Sequence, residues 1–112
     1  MHAEEIKEAI SRALTERSVL PPYGELYSLH ETLVGHIETL MPVASQQIDG
    51  LWHGAPEWYR KRARLDAIAY EVRQGLGPGL QSAASHVRSL GYALRFLSEN
   101  TGALEAGKSA RS

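Results

Sequence analysis

The sequence predicts an all-α fold: an antiparallel helical bundle of three long helices plus an N-terminal helix. Two observations carry that prediction. Apolar residues recur at steps of three and four: Leu26, Leu29, Leu33, Ile37, Leu40, Ala44 and Ile48; then Leu65, Ile68, Ala69, Val72 and Leu76; then Leu80, Ala83, Ala84, Val87, Leu90, Leu94 and Leu97. This spacing sets each series along one face of a helix. Between the series stand helix-interrupting clusters, Pro21-Pro22, Asp49-Gly50 and the run from Gly75 to Gly79. A chain of 112 residues can build one modest core, so residues 1–102 read as a single domain. Residues 103–112, small and polar, read as a frayed or disordered tail.

The first helix is expected over residues 3–17, where Ile6, Ala9, Ile10, Ala13 and Leu14 make a narrow apolar face. Glu4 and Glu5 suit the positive end of its dipole. Pro21-Pro22 cannot lie in a helix interior and marks a turn. The second helix is expected over 25–48, kinked at Pro42, whose ring opposes the Glu38 carbonyl and whose nitrogen carries no proton. Pro56 fits the first position of the third helix, with Glu57 in its first turn. One-turn spacing pairs Glu57 with Lys61 and Arg62 with Asp66. Gly77 is expected to end this helix in the left-handed conformation and Pro78 to open the fourth, which stops at Asn100-Thr101-Gly102. Leu33, Ile37, Leu40, Ile68, Val72, Val87, Leu90 and Leu94 are expected among the most buried side chains.

The chain contains no cysteine, which excludes disulfides, thiolate metal sites and cysteine nucleophiles. Its charged N-terminal residues do not form a secretory leader, and no window approaches the roughly 20 apolar residues of a membrane span. The lack of cysteine is compatible with a reducing cytoplasm, and no membrane contact is expected. Net charge is −1, but it is unevenly spread. Residues 1–57 hold three basic against nine acidic residues, a net of −6; residues 58–112 hold nine against four, a net of +5. Pairing between helices of one bundle accounts for this pattern without a polyanionic ligand.

No residue stands in a catalytic motif, and neither a cofactor nor a metal is expected. The glycines from Gly75 to Gly79 lack the ending of a phosphate loop. His30 and His36 are six apart and cannot share a helix face as ligands would. Gly35, costly inside a helix, suggests close approach of another helix, with His36 hydrogen-bonded at that contact. His36 and His86 are read as a polar seam. Arg60, Lys61, Arg62 and Arg64, beside Trp58 and Tyr59, form the strongest charge run and the candidate nucleic-acid contact. Tyr92 and Phe96 fall off the main stripe of the fourth helix; with Arg88 and Trp58 they make the candidate partner-binding set.

Two segments carry a resemblance: Leu33-Val34-Gly35-His36-Ile37-Glu38-Thr39-Leu40-Met41-Pro42 and Gly77-Pro78-Gly79-Leu80-Gln81-Ser82-Ala83-Ala84-Ser85-His86-Val87-Arg88-Ser89-Leu90. The chain resembles a family of small uncharacterised proteins from Streptomyces and related actinobacteria over residues 26–97. The resemblance implies a cytoplasmic helical domain, assigns no activity, and draws interest to His36 and His86.

The leading functional reading is a non-enzymatic helical interaction module, forming a homodimer or binding a helical regulatory partner through the fourth helix with help from the first. One alternative is a nucleic-acid-associated regulator using the basic run. Another is a small-molecule-binding or enzymatic bundle around His36 and His86.

Overall fold

The computed structural model describes residues 3–15 and 19–103. Four helices make up the fold: α1 (Ala3–Leu14), α2 (Tyr23–Asp49), α3 (Pro56–Gln74) and α4 (Leu80–Thr101). Short connections make successive helices antiparallel, so α2 and α4 run in the same direction. Tyr23 donates its hydroxyl proton to the Gly77 carbonyl at one end, and the His30 and His86 rings meet further along. Leu40 and Ala103 line one groove beyond them. The α2–α4 pair is the spine, and α1 and α3 each pack against both of its helices.

The predicted stripes form one core. Leu33, Ile37, Leu65, Ile68, Leu90, Leu94 and Leu97 are fully buried, and Ile6, Ala9, Ile10 and Ala13 add the inner face of α1. Removing such a Leu or Ile side chain from water contributes about 1.5–3 kcal/mol. Leu40 and Val87 are also buried, as expected. Val72 is only partly buried, because α3 stands off from α2 there and Val72 lines the resulting cleft with Met41 and Pro42. Leu80 is exposed, since it is the first residue of α4 and projects at the end of the bundle.

Several boundaries differ from the sequence expectations. α1 ends at Leu14 instead of residue 17, and residues 16–18 lie outside the described residues. α2 starts two residues earlier than expected and, as expected, contains Pro42 within its span. Gly75, with φ of 73°, ends α3, a conformation glycine adopts without a Cβ penalty; Gly77 is not at positive φ. Gly79 rather than Pro78 precedes the first turn of α4, so Pro78 belongs to the connection. Gly102, at φ of 74°, closes α4 with its N–H on the Ser98 carbonyl. The tail expectation falls mainly on residues 104–112, outside the described residues.

Candidate functional site

The most polar buried feature joins His30 of α2 to His86 of α4. His30 lies four residues after Leu26 and three before Leu33, so the helical period carries it onto the apolar face. His86 lies three residues after Ala83 and four before Leu90, on the facing side of α4. Their ring centroids are 5.4 Å apart. The Glu71 carboxylate of α3 stands 3.7 Å from His86 Nδ1, and that of Glu31 stands 3.4 Å from His30 Nδ1. Tyr27 flanks His30 at 6.4 Å between ring centroids. Neither nitrogen of His30, nor Nε2 of His86, has a hydrogen-bond partner among the described residues. Burial pushes the His86 imidazole below its ordinary value, positive charge on His30 pushes it the same way, and Glu71 opposes both. Among the described residues, no three His, Asp or Glu side chains converge as a metal site.

The seam expected at His36 and His86 is formed by His30 and His86 instead. His36 is half-buried one and a half turns further along α2, where it lines a groove facing α1. Gly35 is not a helix-packing point: it is exposed, and nothing lies within 4 Å of where its Cβ would stand. The close approach occurs at Gly91, where a Cβ would come 2.7 Å from the Ala13 Cβ of α1.

The basic run is largely engaged within the chain. Lys61 pairs with Glu57 at 3.1 Å as the spacing predicts. Arg62 turns away from Asp66 to Asp49 of α2, at 3.0 Å, and to the Ser45 hydroxyl, because α2 passes beside it. The Arg64 guanidinium lies 5.5 Å from the Phe96 ring centroid, and Arg60 is exposed. The candidate partner set does not form one exposed face. Phe96 is packed against the core, and Arg88 donates to the Leu14 carbonyl at 3.4 Å. Trp58 is half-buried, stacked on His53 at 4.5 Å and edge-on to Tyr59 at 5.0 Å. Tyr92 is exposed, with Arg95 over its ring. The sequence reading missed His30 and Glu71, although the position of His30 within the apolar stripe was a usable signal.

Fold and site together define a four-helix bundle with a buried histidine contact and an aromatic-bearing surface. The chain belongs to a family of unknown function (DUF6415), whose model matches residues 4–106. No curated protein and no solved structure matches the chain. No helix among the described residues is long and apolar enough to cross a membrane.

Proposed function

We propose that the chain is a non-enzymatic interaction module that binds a regulatory partner protein. One observation carries this reading: the tyrosines and Trp52 stay outside the fully buried core, although Phe96 and Trp58 pack partly against it. Apart from Ser98, the largest fully buried side chains are all Leu or Ile, whereas all five tyrosines are 39–61% exposed and Trp52 is 77% exposed. Surface tyrosine and tryptophan offer wide, rigid contact area with a polar tip at small entropic cost, which is why they recur as binding anchors. The core is closed without them, so their apolar area remains available to another chain.

The reading is tested by placing a photo-crosslinking phenylalanine analogue at Tyr27, Tyr70 or Tyr92 in the living cell, with exposed Gln46 as the control position. A protein adduct of one defined mass from the tyrosine positions, and none from Gln46, is expected. No adduct at any tyrosine, or the same adducts at Gln46, would overturn the reading.

A further inference from the structure

We propose that the His30–His86 contact is an acid-triggered latch: protonation of the pair frees the first turns of α4 from the start of α2 while the rest of the bundle stays folded. The latch involves no partner and stands apart from the interaction-module reading. Its geometry accommodates added protons poorly. His30 is only 8% exposed, and the two ring centroids stand 5.4 Å apart. A neutral imidazole has one donor and one acceptor nitrogen, whereas a protonated one has two donors. Both nitrogens of His30 and Nε2 of His86 are buried without a hydrogen-bond partner among the described residues. Protonating the pair therefore sets two like charges side by side and leaves buried charged donors without acceptors. Separating the rings relieves both.

The surrounding groups do not remove this cost. From α2, Tyr27 flanks His30 and the Glu31 carboxylate approaches His30 Nδ1; from α3, Glu71 approaches His86 Nδ1. Both carboxylates favour protonation, but Glu31 is largely exposed to water, and neither Nε2 atom gains a partner. On the α1 side, Arg12, Glu25 and Arg88 border the cavity beside Leu26 and Leu29. Burial first, and then His30, hold His86 below its ordinary value against the pull of Glu71. Opening is local because this end of α4 is thinly held. From Gly77 to Ser85 only Ala83 is buried, and Leu80 is exposed. The Tyr23 hydroxyl on the Gly77 carbonyl ties this end to α2. Leu90, Leu94 and Leu97, all fully buried, lie beyond the histidine contact. A segment with few buried contacts opens at lower free energy than the core.

The test is amide exchange of the full chain at about pH 7.5 and 5.5, a range in which ordinary carboxylates stay ionised, expressed as protection relative to the intrinsic rate at each pH. A single histidine with an ordinary value of 6.5 can favour opening by at most about tenfold across this interval. Protection of residues 83–88 in wild type is therefore expected to fall by about threefold to tenfold on acidification, while that of residues 90–97 stays within about twofold. His86→Gln replaces the imidazole with a neutral amide and is expected to lose most of the fall. His30→Gln is expected to reduce it, because the like charge beside His86 is gone. A wild-type fall that is absent, or equally large in residues 90–97, would overturn the proposal. So would a fall in His86→Gln as deep as that of wild type. Should His86→Gln fail to fold, the wild-type pattern alone decides: a fall confined to residues 83–88 upholds the latch, and a uniform or absent one overturns it.

Discussion

Gly35 and Gly91 both stand inside long helices, yet a methyl group added at each meets opposite surroundings. At Gly35 it meets nothing within 4 Å, so alanine gains helix propensity with no steric opposition. Gly35→Ala is expected to raise stability by about 0.5–1 kcal/mol. At Gly91 the added carbon lies 2.7 Å from the Ala13 Cβ and 3.0 Å from the Leu14 Cδ2, so α1 must move away from α4. Overpacking of this kind costs about 1–3 kcal/mol, which outweighs the propensity gain. Gly91→Ala is therefore expected to be destabilising. Urea titration of the two variants beside wild type checks both signs, and shifts in the same direction would contradict this account. The sequence does not separate the two positions by their steric surroundings, because each is a glycine inside a long helix that follows an apolar residue, Val34 or Leu90. Only the placement of α1, which covers Gly91 and leaves Gly35 open, distinguishes them.

α1 is the element whose attachment depends most on particular contacts, because it is short and offers one narrow apolar face. Its last carbonyls have no intrahelical donors. Arg88 reaches from α4 to supply one, donating to the Leu14 carbonyl at 3.4 Å. The bond is long, so Arg88→Ala should cost only about 0.5–1.5 kcal/mol. The loss should be local: amide exchange in residues 9–14 should accelerate while the middle of α2 and α4 stays protected. Uniform acceleration throughout the bundle would show that Arg88 supports the whole fold instead. The four helices were legible in the sequence because a period of three to four survives any arrangement of neighbours. The side-chain partners were not, since they depend on which helices become adjacent. Arg62 illustrates this: its spacing favours Asp66, but α2 brings Asp49 to 3.0 Å. Val72 continues the apolar stripe of α3 and yet borders a cleft, because α3 diverges from α2 at that level. His30 was readable as a residue on the apolar face, but its contact with His86 required knowing that α2 and α4 run in parallel.

At the scale of the molecule, the α2–α4 spine combines an aliphatic middle with the histidine contact nearer its Tyr23–Gly77 end. Leu90 lies fully buried in the aliphatic part, and Leu90→Ala is expected to cost about 2–5 kcal/mol, depending on how far the cavity collapses. A cost near zero in chemical unfolding would remove Leu90 from the centre of the core. The histidine contact makes the stability of the same spine depend on pH. His86 is held below its ordinary value of 6.5 in the folded chain, first by burial and then by His30, with Glu71 acting in the opposite direction. Between the folded and unfolded values the unfolded chain therefore binds more protons, and stability rises with pH. The loss begins as pH falls through about 6.5, and the contribution levels off below the folded value. His30 and Tyr27 from α2, Glu31 beside His30, and Glu71 from α3 are the titratable groups nearest this contact. Urea midpoints measured at pH 7.5 and 5.5, roughly above the range in which ordinary carboxylates titrate, isolate the histidine contribution. Wild type is expected to lose stability over that interval, and His86→Leu to lose distinctly less, because the variant has no proton-binding group at that position. An equal pH dependence in the two proteins would place the acid sensitivity elsewhere in the bundle.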